Sequence, residues 1–247
     1  VFVVHSYWLK NYLPKQRLLA KLLYNKAFQL VAVSQEIKQQ IQLEYGFNQI
    51  STIYNCLSKS ASIVNQDTPK LPQNFILFFG RIEDKVKNIS LLIDGYSQSK
   101  LAQNNTKLVI LGDGPDTTYL KQKTVDLQLQ HQIVFLPYCA DPSSIIKRAL
   151  FSVLSSRYEG FPMVLIESLS QGTPVVSVDC KSGPKEVIQN EINGLMVENH
   201  NPNALAKAFD RFLEDEQLYF HCKQNAKKSV EKFSTEIISK NWLNLLK

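Results

Sequence analysis

The sequence predicts an α/β protein made of two Rossmann-like, doubly wound domains, the first of them incomplete. First, short apolar runs rich in β-branched residues alternate with segments of helical periodicity. Second, these runs lack polar alternation, as expected for strands of a parallel sheet that helices cover on both faces. Third, a polar stretch with two prolines, residues 58–74, separates a short series of elements from a longer one and reads as a linker.

The first series lies before that stretch. Ser34 is placed to cap a helix over 36–46 and Gly46 to end it, because these residue types favour the two ends of a helix. An earlier helix carries its leucines on one face, at Leu18, Leu19, Leu22 and Leu23. The predicted strands are 1–5, 28–34 and 50–55, and the predicted helices are 15–28 and 36–46.

The second series is longer and reads as a complete doubly wound domain. Its predicted strands are 75–80, 107–112, 133–137, 151–156 and 174–179, and the helices between them are 88–99, 116–128, 142–149 and 162–171. We therefore divide the chain into a remnant of a first domain with its linker at 1–70, a second domain at 71–230, and a C-terminal helix in 231–247 that is able to cross back to the first domain.

Composition and charge exclude several classes of protein. No apolar run approaches the roughly 18 residues that a membrane-spanning helix needs. The net charge of +6 is a mild bias toward anionic partners such as phosphates, although solubility alone also explains it. The chain lacks an initiator methionine and begins inside a predicted strand, so we expect the natural protein to have additional N-terminal sequence. Its cysteines lack metal-type spacing and indicate reduced thiols in a cytoplasmic setting: Cys56, Cys139, Cys180 and Cys222.

The polar residues of interest follow the strands of the second domain. In an open parallel sheet, ligands bind beyond the carboxyl ends of the strands. One strand ends in Gly80-Arg81, with Lys85 and Lys87 close behind, and another is followed by a helix that starts at Pro162. Cationic side chains and the free N–H groups of a helix N terminus both favour an anion. A diphosphate fits this combination.

Two glutamates with seven residues between them, Glu159 and Glu167, flank the start of that helix. Glu159 adjoins Gly160 and Pro162, where a chain turns, whereas Glu167 has apolar neighbours on nearly every side of the helix. A buried carboxylate is costly unless something donates hydrogen bonds to it, so either the protein or a ligand satisfies Glu167. Carboxylates beside a diphosphate are placed to accept hydrogen bonds from hydroxyl groups. A nucleotide sugar carries such groups on both its ribose and its hexose.

These residues carry a resemblance to a known family. The run from Glu159-Gly-Phe-Pro through Glu167, followed by Gln-Gly-Thr-Pro-Val-Val, resembles the E-x7-E signature of retaining glycosyltransferases of family 4. Further segments are similar to that family in the same order, and together they cover essentially the whole chain: VAVSQEIKQQI, ISTIYNCL, FFGRIEDKVKNISLLIDGY, LVILGDGP, SGPKEVI and NGLMVENHNPNALAKAF. The resemblance implies the GT-B architecture, in which two Rossmann-like domains face each other across the active-site cleft. The segment SGPKE is most similar to bacterial envelope-glycan enzymes that use UDP-sugars.

The resemblance also implies roles for individual positions. Glu159 would accept hydrogen bonds from the transferred sugar and Glu167 from the ribose diol. Arg81 and Lys87 would hold the diphosphate and stabilise its charge as the glycosidic bond breaks. His5, at the end of the first strand, would face the donor sugar and phosphate across the cleft.

Other donor contacts follow from the same resemblance. Backbone N–H groups at 161, 163 and 164 would assist with the diphosphate, and the base would rest near 136–138. The gap from Arg81 to Lys87 is one residue longer than the usual family spacing, so Lys85 is an alternative phosphate ligand. The implied donor-binding positions are Gly80, Arg81, Lys85, Lys87, Leu136, Pro137, Tyr138, Glu159, Gly160, Phe161, Pro162, Met163, Val164 and Glu167.

The implied activity is transfer of a hexosyl or N-acetylhexosaminyl unit from a nucleotide sugar, with UDP favoured, to a hydroxyl group with retention at the anomeric carbon. The acceptor would be a growing glycan or a lipid-linked glycan in envelope polysaccharide or lipopolysaccharide synthesis. We expect no metal and no cofactor besides the donor, because cationic side chains handle the leaving phosphate and the sequence has no Asp-x-Asp motif. Asp113 and Asp116 therefore belong to a tight turn.

Three alternatives stay open at this point. The chain is a nucleotide-sugar-binding module without turnover if the acceptor side is missing, and a sugar-nucleotide epimerase is a more distant option. Residues 10–26 carry five basic side chains beside leucines, and this segment is either a solvated face or an interfacial helix on anionic lipid at the inner face of the cell membrane. We expect no nucleic-acid partner.

Overall fold

The structure, a computed structural model, describes residues 1–24, 27–57 and 70–247. Two parallel sheets form its framework, as the apolar strand runs predicted. The first sheet has the order β1-β2-β3, with strands Phe2–Val4, Leu30–Ala32 and Ile50–Thr52. Most of the predicted linker, 58–69, lies outside the described residues, and so does Lys26.

The second sheet has six parallel strands in the order β6-β5-β4-β7-β8-β9. The strands are β4 (Phe75–Phe79), β5 (Lys107–Leu111), β6 (Ile133–Leu136), β7 (Ser152–Leu154), β8 (Val175–Val178) and β9 (Gly194–Val197). The chain adds strands outward from β4 and then outward from β7 in the opposite direction, so the order reverses between these two neighbours. Such a reversal opens a crevice at the carboxyl ends of the strands, and the functional site is expected there.

Helices cover both faces of this sheet. They are α3 (Asp84–Lys87), α4 (Ile89–Gln98), α5 (Thr117–Asp126), α6 (Ser143–Arg148), α7 (Met163–Ser170), α8 (Pro184–Val187), α9 (Pro202–Glu214) and α10 (Glu216–Ser229). The four predicted helices correspond to α4, α5, α6 and α7, each slightly shorter than predicted. No element was predicted between 180 and 230, where β9 is too short and too exposed at its end to stand out as an apolar run.

Helix α2 (Gln35–Tyr45) follows β2 and has both predicted caps. The Ser34 hydroxyl accepts a hydrogen bond from the Ile37 N–H at 3.2 Å. Gly46 ends the helix in the left-handed conformation, with φ 68°, and its N–H donates to the Gln42 carbonyl. This conformation strains residues that carry a Cβ, which is why glycine ends the helix.

Helix α1 (Arg17–Tyr24) differs from its prediction in length and in the surface that it buries. It covers only part of the predicted range 15–28, and Ala20 is its only buried residue. The leucine face is largely exposed: Leu18, Leu19, Leu22 and Leu23 are 84%, 42%, 72% and 57% exposed. Clustered leucines on a helix indicate an apolar face, but the sequence pattern cannot tell whether the chain itself covers that face.

The last helix, α11 (Thr235–Leu246), packs against the first sheet although it follows the second one. Ile238 is buried against Val31 and Ile53, and Trp242 adds to the same apolar cluster. The C terminus therefore connects the two sheets from one side. No helix in the described part of the chain is long and apolar enough to span a membrane.

Candidate active site

A cavity of about 500 Å³ lies beyond the carboxyl ends of β4, β5 and β6, beside the first half of α7. This is the place where the strand order reverses, and the volume is typical of a small-molecule site. Its wall includes Gly80, Arg81, Asp113, Tyr138, Val164 and Glu167. All of these except Asp113 are among the predicted donor-binding positions.

The loops after β4 and β5 meet backbone to backbone at one wall of this cavity. Gly80 and Gly112 have φ angles of 140° and 144°, which residues with a Cβ rarely adopt. A Cβ at Gly112 would collide with the Gly80 carbonyl oxygen, and a Cβ at Gly114 would collide with that of Ile82. The GDGP segment is therefore a tight turn that lets two loops approach closely.

Glu167 lies on α7 and contributes to the cavity wall. Within the described residues, no N–H or O–H group donates a hydrogen bond to its carboxylate. Burial raises the pKa of Glu167 above its usual value of 4.5, because the ionised form loses hydration. The described residues therefore supply no hydrogen-bond donor to this carboxylate. It remains available to a hydroxyl donor in the cavity.

Glu159 and Lys87 form a direct ion pair, which the sequence analysis did not anticipate. The Lys87 ammonium lies 2.7 Å from Glu159 Oε1, and the side chains are only 21% and 11% exposed. The Ser156 hydroxyl donates to the same oxygen at 2.6 Å, and the Ser155 hydroxyl donates to the Lys87 carbonyl at 2.8 Å. These contacts fix both side chains in position, Lys87 at the end of α3 and Glu159 on the loop that follows β7.

The other cations after β4 are more exposed than Lys87. Arg81 lies at the cavity, but its side chain is 71% exposed and contacts Glu83 at 3.3 Å. Lys85 is exposed on α3 and makes no ion pair among the described residues. Of the two candidate phosphate ligands, Lys87 is the one whose ammonium contacts the Glu159 loop.

His5 follows β1 and brings the first sheet to the same loop. A Cβ on Gly160 would collide with the His5 carbonyl oxygen, so only glycine allows the two segments to approach this closely. The Ser182 hydroxyl donates to the Gly160 carbonyl at 2.8 Å and is itself within 2.8 Å of the Ser34 hydroxyl. The imidazole of His5 is exposed, and its backbone lies next to the residue that follows Glu159.

The start of α7 has free backbone donors. Pro162 precedes the helix without a side-chain cap, and the first N–H groups of a helix, here those of Met163 and Val164, have no partner in the helix ladder. These donors and the helix dipole attract an anion. The Phe161 side chain is not available to a ligand in the cavity, because it is buried and stacks on Tyr54 with 5.0 Å between ring centroids.

The predicted base region, 136–138, coincides with the cavity only at its end. Tyr138 lines the cavity and is 70% exposed, whereas Leu136 is part of an apolar core cluster and Pro137 does not line the cavity. The wall continues instead through three residues that the sequence analysis missed: Cys139, Ala140 and Pro142. Their position directly after β6 was the available signal, since ligands bind at the ends of strands.

The two aspartates of the turn have partners in the backbone. Asp113 accepts a hydrogen bond from the Tyr138 N–H at 3.0 Å, and Asp116 accepts one from the Asp84 N–H at 2.7 Å. Across the described ranges, no three His, Cys, Asp or Glu side chains are grouped in a way that would hold a metal ion. Both aspartates therefore have a structural role in connecting loops.

A carboxylate of the SGPKE segment connects the two sheets. Glu186 accepts hydrogen bonds from the Gln35 N–H at 2.9 Å and the Glu36 N–H at 3.3 Å, at the start of α2. The Tyr54 hydroxyl donates to the same carboxylate at 2.9 Å. Burial, followed by the charge of Glu186, raises the pKa of Tyr54 to about 12. The sequence pattern of this segment did not predict the role of Glu186.

Comparison with known proteins identifies the family of the chain. Residues 61–229 match the family described as "Glycosyl transferases group 1". The chain is 35% identical over 176 residues to N-acetylgalactosamine-N,N'-diacetylbacillosaminyl-diphospho-undecaprenol 4-alpha-N-acetylgalactosaminyltransferase of Campylobacter jejuni, covering 71% of this chain and 47% of that protein. It is 34% identical over 170 residues to lipopolysaccharide 1,6-galactosyltransferase of Escherichia coli, covering 66% of this chain and 46% of that protein.

A solved structure extends the similarity to the fold. The structure of TarM from S. aureus, in complex with fondaparinux, α-GlcNAc-glycerol and UDP, superimposes with a TM-score of 0.82 at 26% identity. The alignment covers 98% of this chain and 50% of that one. The chain thus spans about half the length of each of these three proteins. Its two parallel sheets have the GT-B architecture, and the chain belongs to the group 1 glycosyl transferases.

Proposed function

We propose that the chain binds the nucleotide-sugar donor of a retaining, family 4 glycosyltransferase. The enzyme transfers a hexosyl or N-acetylhexosaminyl unit to a hydroxyl group of a growing glycan or a lipid-linked acceptor in envelope glycan synthesis. Residues 71–230 form the donor-binding domain in this proposal, residues 1–70 belong to the acceptor side, and 231–247 cross back. The observation that carries the proposal is the Glu167 carboxylate, which lines the cavity and has no partner among the described residues.

The relatives support the substrate class. The C. jejuni protein is named for transfer to a diphospho-undecaprenol-linked sugar, and the E. coli protein for transfer to lipopolysaccharide. The solved S. aureus structure contains UDP. These names favour UDP as the nucleotide and a lipid-linked or polymeric glycan as the acceptor.

The site residues suggest how the donor is held. The ribose diol donates hydrogen bonds to Glu167, and the diphosphate lies between Arg81 and the N–H groups at the start of α7. Lys87 neutralises the charge of Glu159, so that this carboxylate accepts hydrogen bonds from the sugar without repelling the neighbouring phosphates. The same ammonium is placed to stabilise the negative charge that develops on the leaving phosphate.

The chemical step in this proposal uses the donor itself. The acceptor hydroxyl attacks the anomeric carbon from the face that the diphosphate leaves, and the departing phosphate oxygen takes the hydroxyl proton. No described carboxylate other than Glu159 is held beside the Lys87 ammonium. His5 is positioned at the first-sheet side of the same point, next to Gly160. Positive charge at the leaving group comes from side chains, and the proposal therefore includes no metal or further cofactor.

The exposed leucine face of α1 supports a peripheral contact with anionic lipid at the inner face of the membrane. Lys21 lies on the same helix, and Lys10 and Lys15 lie just before it. Apolar side chains flanked by cations bind anionic lipid surfaces. Vesicles of phosphatidylglycerol should retain the protein, whereas vesicles of phosphatidylcholine should not. Equal retention by both would contradict this part of the proposal.

A second candidate function is donor binding without turnover. The chain spans about half the length of each of the two relatives named above. Both candidates require the same donor site. A test of nucleotide binding therefore comes before a test of transfer.

The experiment is a calorimetric titration of this chain with UDP in EDTA, comparing wild type with Glu167→Ala. Loss of hydrogen bonds to a charged group should weaken UDP binding by about 1–3 kcal/mol. Glu216→Ala is the matched control, because Glu216 is exposed at the start of α10, away from the cavity lining. Unchanged UDP affinity in Glu167→Ala would refute the ribose assignment, and loss of wild-type binding in EDTA would refute metal independence.

A further inference from the structure

We infer that an aromatic and cationic cluster beside the Glu159 loop binds the acceptor and selects a glycan that carries phosphate. The cluster consists of Tyr7, Trp8 and Lys10 after β1, and Tyr158 and Lys181 after β7 and β8. This inference rests on the proposed function, because it places the acceptor beside Glu159, the residue proposed to bind the transferred sugar.

The cluster is attached to the Glu159 loop from two sides. Tyr158 is the residue before Glu159, and the Glu159 N–H donates a hydrogen bond to the Lys181 carbonyl at 3.0 Å. The ring of Trp8 contacts the ring of Tyr158 edge to face, with 5.5 Å between centroids. An acceptor hydroxyl must reach the anomeric carbon beside Glu159, so a sugar on these rings lies within reach of the reaction.

The rings remain partly open to a ligand. Trp8 is 43% exposed, and Tyr7 and Tyr158 are half-buried. A residue that only joined the two sheets would gain most by burial, as Phe161 does where it stacks on Tyr54. A pyranose ring has a face of C–H groups that packs on exposed aromatic rings, while its hydroxyl groups stay available to polar residues.

The charge around these rings is uncompensated. The Lys10 ammonium lies 5.0 Å from the Trp8 ring centre, and that of Lys181 lies 5.3 Å from the Tyr7 ring centre. Within the described ranges, neither lysine has a carboxylate in ion-pair distance, and the Glu159 carboxylate of the adjoining loop is paired with Lys87. Two free ammonium groups beside an aromatic surface suit a sugar with an anionic substituent, and phosphate is the group with the strongest charge.

The experiment uses Trp8 as its own reporter. The chain has two tryptophans, so Trp242→Phe leaves Trp8 as the only source of indole emission. This variant is titrated with glucose 6-phosphate, with glucose and with inorganic phosphate, each in saturating UDP so that the donor cavity is filled. We expect glucose 6-phosphate to change the Trp8 emission at a concentration at least tenfold lower than either of the other two probes.

Charge-removing variants test the role of the lysines. The double variant Lys10→Gln/Lys181→Gln should bind glucose 6-phosphate about 2- to 30-fold more weakly, the loss expected for two exposed ion pairs. Its affinity for glucose should be unchanged. The control, Lys228→Gln with Lys240→Gln, removes the same net charge from exposed positions on α10 and α11 and should have no effect. High salt should weaken the binding of glucose 6-phosphate only in wild type and in variants that keep Lys10 and Lys181.

Three results would overturn the inference: no change of Trp8 emission with any probe, equal response to glucose and glucose 6-phosphate, or equal loss in the control pair. Saturation-transfer NMR gives a second measurement, in which Trp8→Phe should retain the glucose 6-phosphate signal and Trp8→Ala should lose it. Retention of the signal in Trp8→Ala would also contradict the inference. Calorimetry on the same samples reports UDP binding separately, so a failure of the proposed donor site is distinguished from a failure of the acceptor cluster.

Discussion

Replacement of Glu186 by alanine should loosen the two sheets from each other. The carboxylate accepts hydrogen bonds from the Gln35 and Glu36 N–H groups and from the Tyr54 hydroxyl, at 2.9–3.3 Å. It also lies at the positive end of α2, where a negative charge is stabilising. Among the described residues that join the start of α2 to the segment after β8, Glu186 is the carboxylate that accepts hydrogen bonds from three separate donors.

The magnitude follows from these contacts. Hydrogen bonds to a charged group contribute about 1.5–3 kcal/mol each when buried, but Gln35 is exposed, and water replaces part of its loss. We therefore expect Glu186→Ala to lower the free energy of unfolding by about 1.5–3 kcal/mol. For a chain of this size, that corresponds to a decrease of roughly 3–12 °C in melting temperature.

The assay is urea unfolding at neutral pH of the wild type, Glu186→Ala, Tyr54→Phe and the double variant. The cycle isolates the interaction between Glu186 and Tyr54, which should have a coupling energy of about 0.5–3 kcal/mol. Glu44→Ala is the control, since Glu44 is exposed near the other end of the same helix, where it accepts a hydrogen bond from Gln40. A Glu186→Ala change within about 0.5 kcal/mol of the control, or a coupling energy near zero, would refute this reasoning.

Three further predictions concern the site itself. Burial raises the pKa of Glu167, so its ionised form destabilises the nucleotide-free protein. In urea unfolding at pH 7, Glu167→Gln should therefore be more stable than wild type. This gain in unfolding free energy should disappear as the pH falls below about 4.5. A gain that stays constant with pH would contradict burial as the cause. Gly160→Ala forces a methyl group onto the His5 carbonyl and should cost about 1–3 kcal/mol in thermal unfolding, and unaltered stability would show that the two segments separate easily. Lys87→Ala should lower turnover by about 10²–10³-fold with a smaller change in donor affinity, while Lys85→Ala stays near wild type; the reverse order would identify Lys85 as the phosphate ligand.

The sequence was most informative where local physics decides the outcome. Continuous apolar runs predicted the parallel strands, and Ser34 and Gly46 predicted the ends of α2, because burial on two faces and helix capping depend on neighbouring residues. The position of Glu167 in an apolar helix also predicted a partly buried carboxylate that either the protein or a ligand must satisfy. Its pKa shift and its place in the cavity wall agree with that reasoning.

Contacts between residues distant in sequence could not be predicted in this way. The pairing of Lys87 with Glu159 joins loops 72 positions apart, and Glu186 meets α2 across about 150 positions. Helical periodicity identified the leucine face of α1 but not its exposure, because periodicity shows which residues share a face and not what covers that face. The cavity wall beyond Tyr138 was missed for a related reason, since the direction of a loop after a strand is set by tertiary packing.

The most direct test of the account compares the binding of UDP and of UDP-sugars to wild type and Glu159→Gln. UDP-glucose, UDP-galactose and UDP-N-acetylglucosamine are titrated by calorimetry, and the tightest of them is then measured with the variant. Because we propose that Glu159 contacts the sugar, and because its loss would free Lys87 for the phosphates, UDP should bind the variant as tightly as wild type or more tightly. The affinity for the UDP-sugar should fall by about tenfold or more, as expected for a lost charge-assisted hydrogen bond. If UDP and the UDP-sugar lose affinity equally, or if wild type binds neither, the donor site described here is wrong.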